Sequence, residues 1–289
     1  MAAVIEARGL SWRFKSRAGE VRALDNVDFN VQQGRIVGLI GPNGAGKTTA
    51  LRAILGLGPY EGDLKVLGLD PYTQRDELMK QVCFIADVAV LPGWLRVNQA
   101  VEFVAGIHPH FRADRALQLL GKTDIKLGSR VRELSKGMIT QLHLALVMAI
   151  DAKLLVLDEP TLGLDIIYRK QFYESLLGDY FDEERTILLT THQVEEVENI
   201  LTDLLFIDRG RVVLDTPMDE VPTKFVQVTV SPDRIAEARE LKPFYEREVF
   251  GRTVMYFQSA ASDGLRRLGD ARTPSVADLF VAKIKGAAA

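Results

Sequence analysis

A lysine and a threonine close a glycine-rich stretch, Gly41-Pro42-Asn43-Gly44-Ala45-Gly46-Lys47-Thr48. The spacing fits G-x-x-x-x-G-K-[ST], a loop whose backbone N–H groups cradle phosphates. Its glycines let those N–H groups turn inward without a Cβ clash. The helix that follows adds its positive end. In such a loop Lys47 reaches the β- and γ-phosphates of a nucleotide and the Thr48 hydroxyl holds Mg²⁺. Pro42, Asn43, Ala45 and Thr49 belong to the same run of expected phosphate contacts. A second segment, Lys153-Leu154-Leu155-Val156-Leu157-Asp158-Glu159-Pro160, delivers two carboxylates from the end of an apolar run. Asp158 would hold Mg²⁺ through its water shell, and Glu159 would accept a proton from an attacking water. Taken singly, the first segment also reads as a glycine turn and the second as a solvated acidic turn. Together they describe a nucleotide site.

Strands and helices must carry these groups. The apolar run Ile36-Val37-Gly38-Leu39-Ile40 reads as a buried strand entering the loop, and Thr49-Ala50-Leu51-Arg52-Ala53-Ile54-Leu55 reads as the helix leaving it. Residues 3–34 and 63–67 alternate apolar and polar, as in an antiparallel β layer. Helices are expected at 98–107 and 114–120 and from Ile139 to Ile150. Strands starting near Leu154, Thr186 and Leu204 would rebuild a parallel sheet around the loop strand. Asp208-Arg209-Gly210 reads as a hairpin turn. At 289 residues, 47% of them hydrophobic, the chain fits one large α/β domain with an appendage. A net charge of −3 provides no basic field for nucleic acid. Cys83 is the one cysteine, so no internal disulfide forms and a reducing cytosol is the expectation. The first residues lack a signal peptide's apolar run. No stretch approaches the roughly 18 apolar residues that span a bilayer.

Further segments extend the pattern. Leu134-Ser135-Lys136-Gly137-Met138 opens an amphipathic run, Leu162-Gly163-Leu164-Asp165 follows the acidic pair, and Thr190-Thr191-His192 ends a later strand. In this order they resemble the ABC ATPases, the nucleotide-binding subunits of ABC transporters, over about residues 3–220. The resemblance implies a P-loop NTPase core: a mixed sheet, an antiparallel β layer and a helical subdomain at about 95–150. It implies ATP and Mg²⁺ as cofactors and His192 as the γ-phosphate-sensing histidine. It also implies that Ser135 and Gly137 of one copy cap ATP bound to Lys47 and Thr48 of another. The partners implied are a second cassette, as homodimer or heterodimer, and permease subunits on a separate chain, at the cytoplasmic face of the membrane. Two departures stand out. The signature reads L-S-K-G-M where the family has L-S-G-G-Q, and Asp87 stands where a glutamine is usual. As a carboxylate, Asp87 suits Mg²⁺ or its water, and it also reads as a solvated loop acid.

Other residues are left with two readings each. Trp12 and Phe14 share a face by strand alternation, and the family pattern puts Phe14 on the adenine, while core packing also suits either. His108-Pro109-His110 reads as a solvated loop without the acid or cysteine a metal site needs. Trp94, in an apolar loop within 87–98, reads as a docking residue for the membrane partner or as a buried anchor. Residues 221–289 form a separate α+β module after an ATPase domain at 1–220, with strands at 225–230 and 252–257 and helices at 235–241 and 275–285. The L-S-K-G-M signature and this tail resemble exporter-type subunits. The rival class is a soluble ABC ATPase acting on ribosomes or DNA. The chain has one cassette rather than two, and no sustained heptads between Lys47 and Leu134.

Overall fold

A computed structural model describes residues 3–16, 19–85, 91–162, 166–258 and 262–286. Strands β1 (Ala3–Ser16), β2 (Gly19–Gln32) and β4 (Glu61–Val66) form an antiparallel sheet in the order β2-β1-β4. Period-two patterning makes this layer: Val27, Phe29 and Val31 of β2 are buried, while Asp28 and Asn30 between them face solvent.

The second sheet has the order β5-β6-β7-β3-β8-β9. Its strands are β3 (Ile36–Ile40), β5 (Val82–Ile85), β6 (Leu154–Asp158), β7 (Thr186–Thr191), β8 (Asp203–Asp208) and β9 (Arg211–Pro217), all parallel except β9. Every residue of β3, β6 and β7 is buried. That burial on both faces explains their continuous apolar runs. Val37, Leu39, Val156 and Leu188 face one core with the antiparallel layer and helix α1 (Lys47–Ile54). Ile36, Ile40, Leu155 and Leu157 face a second core with the helices.

Helix α2 (Arg75–Met79) precedes β5, and α3 (Val97–Ile107), α4 (Ala113–Leu120) and α5 (Lys136–Met148) build the helical part of that second core. Helix α6 (Ile166–Ser175) continues as a π-helical turn, Leu176–Tyr180, and leads towards β7. Burial pushes the Cys83 thiol on β5 up to about 12, which keeps it protonated.

After α7 (Val221–Lys224), strands β10 (Phe225–Val230), β11 (Tyr245–Val249), β12 (Arg252–Gln258) and β13 (Gly269–Arg272) form an antiparallel sheet in the order β11-β12-β10-β13. Helices α8 (Ile235–Glu240) and α9 (Ser262–Arg266) lie on one face with Val226, Val228, Met255 and Phe257. Helix α10 (Val276–Gly286) lies against Val254 and Tyr256 on the other. Val276 and Leu279 of α10 also join the second core, where the Phe280 and Phe206 rings meet edge-on at 5.2 Å. No helix of the described residues is long and apolar enough to cross a membrane.

Candidate functional site

The glycine-rich loop is pinned between β3 and α1. Gly44 and Gly46 take left-handed φ values of 79° and 113°, which glycine adopts at no steric cost. A Cβ on Gly46 would lie 2.6 Å from the Ala23 carbonyl of β2, and one on Gly41 would lie 2.4 Å from the Ile207 carbonyl of β8. The loop therefore has backbone on two sides and opens on the third. There the Ala45 N–H donates to the Pro42 carbonyl at 3.1 Å. Lys47 is buried, and its Nζ donates to the Gly41 carbonyl at 2.7 Å.

Three parallel strands bring the acids to this loop. In the β6–β7 register Asp158 stands opposite Thr190. The Thr190 hydroxyl donates to Asp158 Oδ1 at 2.6 Å and accepts from the Glu159 N–H at 3.0 Å. The Thr48 hydroxyl donates to the other Asp158 oxygen at 3.3 Å. Glu159 takes a left-handed φ of 47°, a strained conformation for a residue with a side chain, and such outliers gather at functional sites. Its carboxylate lies 3.5 Å from Lys47 Nζ through Oε1, and Oε2 accepts from His192 Nδ1 at 2.8 Å. A carboxylate oriented from both sides, with 15% of its side chain exposed, can take a proton from a group in the cavity. That cavity, of about 490 Å³, is lined by the loop residues 42–49 with Asp158, Glu159 and His192.

The residues fit a nucleotide with Mg²⁺. The loop residues 42–49 line the cavity as a phosphate-binding loop would, and the Thr48 hydroxyl with the Asp158 carboxylate offers the hard oxygen donors that ion prefers. Other expectations fall elsewhere. Trp12 is buried, and a Cβ on Gly58 would lie 2.6 Å from its ring, so core packing claims it. Phe14 is 37% exposed, with its ring centroid 6.0 Å from that of Trp12. That ring contact agrees with the shared face expected from alternation, and the register irregularities beside Trp12 leave it in place. Ser135 caps α5 by accepting from the Met138 N–H at 3.2 Å, and Gly137 lines a different cavity, beside Tyr168. Within one chain the fold does not bring either residue into the cavity of Lys47. Asp87 and Gly163-Leu164-Asp165 lie outside the described residues. His108 is half-buried rather than solvated, with Nε2 enclosed and without a hydrogen-bond partner. Among the described residues no group of histidine, cysteine and acid could hold a metal.

Thr190 was not visible as a site residue in the sequence. Thr-Thr-His ends a strand, but only the pairing of β7 with β6 shows that this hydroxyl holds both acids.

Comparison with known proteins decides the family. The model described as "ABC transporter" matches residues 24–162. The Nod factor export ATP-binding protein I of Cupriavidus metallidurans is 32% identical over 274 residues, covering 89% of this chain and 87% of that protein. The chain belongs to the ABC transporter ATP-binding proteins. A daunorubicin resistance ATP-binding protein of Streptomyces coeruleorubidus is similar to this ABC subunit at 36% identity over 213 residues, covering 71% of this chain and 65% of that one. Among solved structures, an ATP-binding subunit of an ABC transporter matches with a TM-score of 0.65 at 26% identity, over 75% of this chain and 91% of its own. An ATP-binding cassette dimer bound to ADP and Pi shares the fold, with a TM-score of 0.63 at 21% identity, over 74% of this chain and 98% of its own. This ABC subunit is thus an ATPase built to serve a transporter.

Proposed function

We propose that this ABC subunit hydrolyses MgATP at the cavity of Lys47 and Glu159 and drives export through permease subunits on a separate chain. The observation that carries the reading is the placement of Glu159 between Lys47 and His192, next to the Thr48–Asp158 pair. The backbone of Gly41 to Gly46 and the Lys47 ammonium bind the phosphates. Thr48 and Asp158 would hold Mg²⁺, which neutralises phosphate charge when bound. Glu159 accepts the proton of the attacking water, and His192 holds that carboxylate and senses the γ-phosphate. Asp87 is a further candidate for the metal's water shell. Phe14, the more open of the two aromatics, is the candidate for stacking on the base.

Ser135 and Gly137 would complete the site of a second cassette, so two chains close on ATP and part after hydrolysis. That cycle would pull on the permease at the cytoplasmic face of the membrane, with the exposed Trp94 as a docking residue. We read residues 1–220 as the ATPase domain and 221–289 as an accessory domain. Export is supported by relatives named for Nod factor export and daunorubicin resistance.

Glu159→Gln tests the reading. It should cut ATP turnover by about 100-fold or more, the scale of a lost general base. Nucleotide binding should survive, and ATP should trap the variant as a dimer. Near-normal phosphate release by this variant would place the base elsewhere. Recovery of the tagged chain with ribosomes or DNA, and not with a multi-span membrane protein, would replace transport by the rival class.

A further inference from the structure

The first turn of α6 touches two functional segments at once. On one side the Tyr168 ring covers Gly137. A Cβ at Gly137 would lie 2.6 Å from Tyr168 Cζ, 2.7 Å from Cε2 and 2.8 Å from Cε1. Gly137 has no left-handed φ, so a side chain there is opposed by the ring, which it would displace, and not by the backbone conformation. On the other side the next residue, Arg169, donates from Nη1 to Gln193 Oε1 at 3.0 Å and pairs with Glu196. The charged side chains of that pair are each 23% exposed, which limits solvent screening. Gln193 follows His192 directly, and its N–H is held by the Thr191 hydroxyl at 2.9 Å.

We propose that Tyr168 and Arg169 form a link, within one chain, between the signature segment and the His192 segment. Both are positioning residues. Tyr168 sets how far the start of α5 rests from α6, and Arg169 ties α6 to the chain beside His192. Consecutive residues on one helical turn move together when a packed helix slides against its neighbours. A displacement at His192 therefore reaches Ser135 and Gly137. The ring has room for that movement: Tyr168 and Gly137 line a cavity of about 260 Å³ between α4, α5 and α6. The inference rests on the reading that Ser135 and Gly137 serve the nucleotide of a neighbouring copy. On that reading, occupancy sensed in one site adjusts the cap offered to the other.

A steric swap tests the link in the full chain. Gly137→Ala should lower kcat at least tenfold with nucleotide affinity of the separate monomer unchanged. Adding Tyr168→Ala, which vacates the space, should restore at least threefold of that loss. Arg169→Ala should lower kcat with little change in KM. Combined with Tyr168→Ala it should lose less than the product of the two single losses, as expected for groups acting on one element. Tyr168→Phe, which keeps the ring, should behave as a conservative replacement. Each variant is first checked for a cooperative thermal transition, and Tyr168→Leu replaces Tyr168→Ala in the swap if the latter fails to fold. Absence of rescue, or losses that multiply in full, overturns the link. The composite-site reading has its own control: Ser135→Arg in the Glu159→Gln chain should abolish ATP-driven dimerisation. Normal dimerisation there would refute that reading whatever the swap shows.

Discussion

Thr190 does more for the site than its place in a strand suggests. Its hydroxyl donates a hydrogen bond to Asp158 and accepts one from the Glu159 N–H, so one buried oxygen aligns the metal-side acid and the proposed base. Thr190→Val keeps the shape and removes both bonds. A buried donor or acceptor left unpaired costs about 1–3 kcal/mol, so the variant should unfold at lower denaturant. Turnover should fall further, by about tenfold or more, since each 1.36 kcal/mol of misplaced transition-state stabilisation is a factor of ten. Parallel measurements of denaturant unfolding and phosphate release check this, and wild-type turnover in a destabilised Thr190→Val would show that the hydroxyl serves stability alone. The role was hidden in the sequence for a physical reason. A threonine at a strand end is ordinary, and its partners sit more than thirty positions away, in a register that only strand pairing defines.

At the scale of elements, the loop between β3 and α1 is held by backbone on both flanks. Gly46→Ala puts a Cβ into the Ala23 carbonyl at a φ of 113°, and strained backbone of this kind costs about 1–3 kcal/mol. The loop should shift to relieve the clash, so nucleotide affinity should drop at least about tenfold, by the general 1.4 kcal/mol per decade. Gly68→Ala is the matched control: its φ of 78° is also left-handed, but a Cβ there meets nothing within 4 Å. Equal nucleotide affinity for both variants in a titration would refute the clamped-loop account. Which elements the sequence revealed follows from burial. The strands β3 and β6 announced themselves as unbroken apolar runs because both faces of their sheet are covered. By contrast β11, Tyr-Glu-Arg-Glu-Val, and β13, Gly-Asp-Ala-Arg, have no fully buried residue, so their composition resembles loops and only hydrogen-bonded neighbours define them. Helix α6 was also missed, since its apolar residues are split between core and surface: Phe172 is buried while Ile166 is 81% exposed. The alternation that puts Trp12 and Phe14 on one face agrees with their ring contact, but that Trp12 is the buried ring is set by its packing against Gly58.

For the molecule as a whole, α10 joins the tail to the second core. Leu279 is fully buried in the cluster that also holds Leu155, Leu157 and Phe206. Leu279→Ala should therefore cost about 2–5 kcal/mol, the range for a large side chain removed from a packed core. The loss should lower one shared thermal transition, and a tail that melts separately at lower temperature would show that the two parts fold independently. The sheet order has another consequence, for the chain as it is being made. Strand β3 is paired only with β7 and β8, both of which are translated long after it. The β1–β2 ribbon is local and can assemble at once, but Ile36–Ile40 must wait with both edges open until β7 is made, and with one edge open until Asp208 has left the ribosome. A nascent fragment stalled before β8 would contain every residue of the Lys47 loop and still fail to grip nucleotide. ATP capture thus marks a chain made at least through β8, and the waiting apolar strand is the segment a chaperone would need to shield.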